Sequence, residues 1–374
     1  MRVSWLALLC IAVFAMAQTP APTPQDAQAL EARGDWPGAE NDWRALTRAH
    51  PNDYRFWISL GISLAHQNKW PQAISAYRKA LTLHPHAPEA EFNLGLAYFK
   101  SGNLEKAVDP LKDADAQMPG SRQIDLVLGM CLYGTGKYAG ASPYLERALA
   151  DDPANKELRF VLAQAYLGSG EYEKAKTQFQ AMLERDPDSA QVHMLLGEAY
   201  DGLGNTDEAI AEFRSAAKES RIPDAHFGLG YLLWKTHKYP EAVPEFKAEL
   251  TLDSTNHKAL AYLGDTELKL GEVSAAKRDL SAALALHDTV WITRFDLGKI
   301  AEDEKRYDVA EQNYEKAVNL DPDRPEAHYR LAQVFKAQGN EARASAEFAA
   351  VTHLHERKSE DLILKVTGKG AAAH

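Results

Sequence analysis

Few side chains in this sequence stand where chemistry would need them. His355-Glu356 opens an H-E-x-x-H pattern, in which two histidines one helical turn apart hold zinc, but Ser359 occupies the second histidine's place. One imidazole on that face leaves a metal short of a ligand. His84 and His86, like His353 and His355, are two residues apart, and on a helix such a pair points about 200° apart. Gly134-Thr135-Gly136-Lys137 has the glycine and lysine of a phosphate cradle without the full spacing or a strand before it. Cys131 lies among Leu128 and Leu132 and reads as a buried, inert thiol. Carboxylates are numerous, yet no two are set apart as acid and base. These patterns predict no catalytic residue, no metal site and no cofactor. What remains is recognition by rings and lysines, and that depends on the elements that carry them.

Those elements repeat. Ala39, Ala73, Ala107, Ala141, Ala175, Ala209, Ala242, Ala276, Ala310 and Ala344 recur in steps of 34 residues with a single step of 33. Twelve residues before each stands another small residue: Ala27, Gly61, Gly95, Gly129, Ala163, Gly197, Gly230, Gly264, Gly298 and Ala332. Four residues after each alanine comes a large one, from Trp43 and Tyr77 through Phe179 and Phe246 to Tyr314 and Phe348. Small residues let two helices approach closely, and a large one fills the space between them. Between the two helices of a unit lies a glycine, or Asn68, as a left-handed turn requires. His237 and Lys305 break that rule, so strained or looser turns are expected there. Pro37, Pro71 and Pro240 fit the starts of second helices, and Pro85, Pro119, Pro153, Pro187 and Pro322 their ends.

This pattern resembles the tetratricopeptide repeat, most closely around Trp57, Leu60, Gly61, Ala73, Tyr77, Ala80 and Pro85. The resemblance implies an all-α fold: a right-handed superhelical solenoid of about ten helix-turn-helix repeats over residues 25–356. Arg221, Ser254, Asp288 and Glu356 replace the terminal proline, Glu249 replaces a small packing residue, and the connection near Arg221-Ile222-Pro223 is one residue short. A final capping helix is expected over 357–367, from Leu362, Ile363 and Val366 at helical spacing, followed by a disordered tail at 368–374.

With the small residue of each first helix counted as place 8, places 4, 7, 8 and 11 face inward, and places 2, 5, 9, 12 and 13 face another side. In the resembled family that second side lines a concave groove. It would carry Phe92, Phe99, Tyr133, Phe160, Phe227, Tyr231, Trp234, Phe295 and Tyr329, interleaved with Lys100, Lys235, Lys269, Lys299 and Lys336. Acids share it, among them Glu157, Glu198, Asp201, Asp265 and Glu302. Each ring either receives a ligand or packs between repeats. Phe227, Tyr231 and Trp234, on successive turns of one helix, are the first candidates for binding. None of these places carries the asparagine that the family's carboxylate clamp or its sugar-transferring ladder requires.

The chain begins as an exported one would. Arg2, the apolar run Val3–Phe14 and Ala15-Met16-Ala17 make a signal peptide over 1–17, followed by a proline-rich leader over 18–24. The apolar run is shorter than the ~20 residues needed to span a bilayer, so no stable membrane insertion is expected after cleavage. Cys10 leaves with that segment, so Cys131 has no internal partner. A net charge of −11 disfavours nucleic acid. The expectation is a periplasmic or extracellular scaffold, not an enzyme, that holds a protein or peptide partner in an elongated groove within an envelope assembly or export complex. The alternative is an organiser of glycan export.

The register itself is testable. Ala209→Leu should crowd two helices and cost roughly 1–3 kcal/mol, whereas Glu208→Leu, one residue away, should cost little. Equal shifts in melting temperature would contradict the register.

Overall fold

The computed structural model describes residues 21–218 and 222–367, with 361–367 described by their helical backbone. The expected signal segment 1–17, residues 18–20 of the leader, Arg221 and the expected tail 368–374 lie outside the described residues. The chain divides into two compact units, one reaching Ser169 and the other starting at Gly170. Unit 1 holds α1 (Pro24–Ala32), α2 (Trp36–Ala49), α3 (Tyr54–His66), α4 (Trp70–Leu83), α5 (Pro88–Lys100), α6 (Leu104–Gln117), α7 (Arg122–Gly134), α8 (Tyr138–Asp151) and α9 (Lys156–Gly168). Unit 2 holds α10 (Tyr172–Leu183), α11 (Ala190–Gly202), α12 (Thr206–Ala217), α13 (Ala225–Lys235), α14 (Tyr239–Leu252), α15 (His257–Lys269), α16 (Val273–Leu286), α17 (Trp291–Asp303), α18 (Tyr307–Leu320), α19 (Pro325–Ala337) and α20 (Glu341–Thr367). No strand occurs among the described residues. Each unit is a stack in which a helix packs on its neighbours in sequence.

Helix starts follow from local chemistry. Thr23 and Asp26 form a reciprocal capping box at α1, with Pro24 in its first turn, one residue earlier than the expected solenoid boundary. Asn155 and Asn256 cap α9 and α15 by accepting from Leu158 N and Ala259 N, at 2.9 and 3.0 Å.

The paired helices meet at the two small-residue combs. A methyl group added at Gly61 would lie 2.4 Å from Tyr77 Cε1; at Gly197, 2.8 Å from Phe213 Cδ2; at Gly298, 2.7 Å from Tyr314 Cε1. Tyr77, Leu111, Leu145, Phe179, Phe246, Leu280 and Tyr314 are at most 1% exposed, as are Ala73 through Ala310 of the alanine comb. A third seam was not foreseen. Gly134, Gly168 and Gly202 press on Leu104, Tyr138 and Tyr172, the first residues of the preceding repeats' second helices. Place 13 is therefore a docking position between repeats where it is glycine.

The turns at His237 and Lys305 are not looser. Both residues are left-handed, with φ of 61° and 57°, close to the 58° of Asn68. His237 gains a contact from Nδ1 to Tyr239 Oη at 2.7 Å. Glu249, the apparent misfit, is fully buried and accepts from Asp224 N at 3.0 Å and Phe227 N at 3.2 Å. It supplies the N-terminal cap that Asp224, itself left-handed, does not give α13.

The expected separate capping helix over 357–367 is corrected. Those residues continue α20, which runs for 27 residues from Glu341. Glu356 stands where several repeats have a proline, and it permits the helix to continue; α14 and α16 end without a proline, before Ser254 and Asp288, so the replacement allows the extension and does not alone cause it.

Lys305 gives a clean test of turn strain. Removing a left-handed side chain relieves about 1–2 kcal/mol, and glycine costs about 0.5–1 kcal/mol in backbone entropy. Lys305→Gly should therefore raise stability by up to about 1 kcal/mol, whereas Gly204→Ala at φ of 79° should lower it. Denaturant midpoints moving in the same direction for both would refute this account of the turns.

Candidate functional site

The second unit has a cavity of about 690 Å³ lined from α13, α15, α17, the start of α19 and the middle of α20. Three of the nine expected groove rings, Trp234, Phe295 and Tyr329, line it, as does the expected Lys299. Asp265 and Lys269, expected on the same side, line it too. Tyr329 is 48% exposed, the most open of these rings.

The other expected residues of unit 2 have structural partners. Phe227 stacks along Tyr231, 6.3 Å between centroids, and both meet Tyr262, at 6.0 and 5.2 Å. Tyr262 also meets Trp234 edge-on at 4.8 Å. This cluster of half-buried rings joins α13 to α15, so Phe227 and Tyr231 act in packing and only Trp234 reaches the cavity. Burial pushes the Tyr262 hydroxyl up to about 12. Lys235 is engaged by Asp201 on α11, Nζ to Oδ1 at 2.7 Å.

In unit 1, Phe99 and Lys100 line a cavity of about 360 Å³ together with Leu126, Val127, Met130 and Val161. Phe92, Tyr133 and Phe160 are half-buried and lie outside its lining. Tyr133 donates to Gln164 Oε1 at 2.8 Å, a bond between α7 and α9.

Trp291, Arg324, Arg330, Val351, His355 and Lys358 complete the unit 2 cavity and escaped the sequence reading. Trp291 is the first residue of α17, Arg324 precedes α19, and the last three lie on α20, whereas the groove places were counted on first helices alone. Val351, His355 and Lys358 are four and three residues apart, on one helix face. They form a wall, to which the continuation of α20 past Glu356 adds Lys358. His355, whose H-E-x-x-H pattern lacks its second histidine at Ser359, belongs to this wall. His84 and His86 are not on a helix at all: His84 caps α4, and His86 is left-handed at φ of 63°. Among the described residues no group of three or more His, Cys, Asp and Glu could hold a metal ion, and no helix is long and apolar enough to cross a membrane. Cys131 is buried, and burial pushes its thiol up to about 11.

A polar network lies under the cavity. Trp234 Nε1 donates to Asp265 Oδ2 at 2.5 Å, and Lys269 Nζ stands 3.8 Å from Asp265 Oδ1. Lys299 Nζ is 3.3 Å from Asp296 Oδ1, while Asp296 Oδ2 makes no hydrogen bond. Asp296 is fully buried, and that burial, followed by the charge of Asp265, holds its carboxyl well above the usual range. Protonated, it can donate to Asp265; sealed from the cavity, it touches no ligand. The rings carry cations as well. Arg324 lies over Trp291 at 4.7 Å and Lys299 over Phe295 at 5.8 Å.

Three family models match the chain. Two, each described as a tetratricopeptide repeat, match residues 132–199 and 170–226, and residues 26–88, 63–122 and 201–257; a third, described as a TPR repeat, matches 295–339. The comparison with curated proteins gave no match. Among solved structures, a chain of Naa15/Naa10 bound to HypK-THB is similar at 17% identity and a TM-score of 0.48, over 88% of this chain and 63% of that one. The present chain thus spans less than two thirds of that relative. A tetratricopeptide repeat protein from Parabacteroides merdae is similar at 19% identity and a TM-score of 0.38, over 65% of this chain and 96% of that one. YrrB, described as a TPR protein with an unusual peptide-binding site, is similar at 24% identity and 0.41, over 47% and 91%.

The buried carboxyl gives a pH test. Because Asp296 holds its proton more tightly folded than unfolded, its stabilising contribution is complete below its ordinary value of 3.8. That contribution is lost as pH rises through the raised folded value. Asparagine cannot ionise, so Asp296→Asn should gain melting temperature relative to the parent as pH rises above about 4, and the gain should level off once the parent's folded carboxyl has ionised. A difference that stays constant with pH would mean that Asp296 is already charged.

Proposed function

Because the chain belongs to the tetratricopeptide repeat family, whose members are generally protein-interaction scaffolds, we propose that it is a non-catalytic adaptor holding a segment of another polypeptide in the unit 2 cavity. One observation carries this reading. Trp234, Trp291, Phe295 and Tyr329 converge on a single hollow of about 690 Å³, in company with Ile292, Pro325 and Val351. Rings and branched side chains in a concavity give a guest side chain apolar surface to bury. Rigid aromatic anchors also lose little entropy on binding. The cations around them supply orientation.

The setting we propose is the cell envelope or the exterior, as part of an assembly or export complex. It rests on the leader: Arg2, the apolar run to Phe14 and the small residues Ala15 and Ala17.

Cross-linking in cells with tagged full-length protein, followed by fractionation, tests both parts. A defined polypeptide should be retained, and Trp291→Ala and Phe295→Ala should each lower its capture. A loss of about 1–2 kcal/mol is expected at an anchor, or roughly five- to thirtyfold. The protein should be recovered outside the cytoplasm with its first residues removed. Capture indifferent to both substitutions, or retention of glycan oligomers with no polypeptide, would remove this cavity from the function.

A further inference from the structure

The same cavity carries a charge pattern that specifies its guest further. Five cations line it, Lys269, Lys299, Arg324, Arg330 and Lys358, against two carboxylates, Asp265 and Glu326. This local excess sits on a chain whose net charge is −11. Arg324 is closely paired, its Nε donating to Asp321 Oδ2 at 2.7 Å, but three of the others are loosely paired: Lys299 is 3.3 Å from Asp296, Arg330 is 3.6 Å from Glu302, and Lys269 is 3.8 Å from Asp265. Lys247 and Glu267 are likewise 3.7 Å apart, but several ion pairs that join helices elsewhere in unit 2 are shorter. Lys235 reaches Asp201 at 2.7 Å, Arg343 reaches Glu311 at 2.8 Å, and Arg214 reaches Glu241 at 3.0 Å. A strong charge-assisted bond lies at about 2.7–2.9 Å, so Lys269, Lys299 and Arg330 keep donors to spare. They are also held in place, since the rings beneath Arg324 and Lys299 fix two of the charged heads.

Resting on the reading that this cavity holds polypeptide, we propose that its partner is an acidic peptide segment. Carboxylates of that segment meet Lys269, Lys299, Arg330 and Lys358, and an apolar side chain between them enters the floor formed by Trp291, Phe295 and Val351. Length decides between this guest and other polyanions. A nucleic acid or an anionic glycan continues its charge beyond the cavity and meets the acidic surface of the rest of the chain. A short acidic segment confines its charge to the cations, and its apolar side chain uses the floor, which a uniformly charged polymer leaves empty.

Fluorescence anisotropy on the full chain tests this with three labelled peptides of equal length: one rich in Asp and Glu around a central Leu, its Asn and Gln counterpart, and its Lys counterpart. The acidic peptide should bind at least about tenfold more tightly than the amide peptide at low salt, with the gap closing as ionic strength shortens the Debye length. Lys269 and Lys358 are exposed, so the double variant Lys269→Gln, Lys358→Gln should keep its melting temperature. It should lose about tenfold in affinity for the acidic peptide and almost none for the amide peptide. Equal binding of acidic and amide peptides, or a preference for the lysine peptide, overturns the charge assignment. If Trp291→Ala still weakens those peptides, the peptide-holding reading survives that failure; if no peptide responds to Trp291→Ala, both fall. A single-stranded DNA or an alginate oligomer of equal charge binding as tightly as the acidic peptide overturns the choice of a polypeptide.

Discussion

Everything in this protein depends on one contact: a glycine or alanine of the first helix against a large side chain of the second. Burying a Tyr, Phe or Leu in that contact is worth about 1.5–3 kcal/mol, and it recurs in each repeat from Trp43 to Tyr314. A left-handed turn at Lys305 or His237 costs about 1–2 kcal/mol at one residue. The seam wins, and the turn takes the conformation that the packed helices impose. That is why two residues ill suited to positive φ adopt the geometry of Asn68.

The same contact orients the rest. Once place 8 is pressed against its partner, the helix cannot rotate, and places 5, 9 and 12 are fixed on the open side. In unit 2 this puts Trp234, Phe295, Lys299 and Tyr329 around one hollow. Neighbouring repeats are then joined by polar bonds as well as by rings. Trp234 to Asp265 joins α13 to α15, Lys235 to Asp201 joins α13 to α11, and Tyr133 to Gln164 joins α7 to α9. Several acids are buried in the process. Glu249 is satisfied as a cap, whereas Glu267 is fully buried without a hydrogen bond and is pushed up to about 7, by burial first and by Asp279 second. Polar groups of this kind specify one arrangement at a cost in stability.

Departures from the repeat turn out to have separate physical meanings. Glu249 in place of a small residue reaches across to a helix start that lacks its own cap. Glu356 in place of proline permits α20 to run on, and the continuation adds Lys358 to the cavity wall beside Val351 and His355. The cationic side of that cavity is thus built partly from a helix that the repeat pattern would have ended.

How much was legible follows from the range of each interaction. The three combs, the turn glycines and the helix-starting prolines are local or one repeat apart, so spacing gave the repeat and the inward faces, and the family resemblance it carries implied the all-α fold of about ten helix pairs. The same resemblance indicated which side of each first helix stays open. It could not decide which open-side rings would be free. Phe227 and Tyr231 turn toward Tyr262, a place-6 residue 31 positions beyond Tyr231 that no single-helix count would pair with them. Nor could it place Trp291, Arg324 and Lys358 in one cavity, because a helix end, a linker and a second helix converge only when three repeats are stacked. Side-chain direction at an element's end, and contacts between repeats, belong to the tertiary structure, since neither is fixed by a period within one helix.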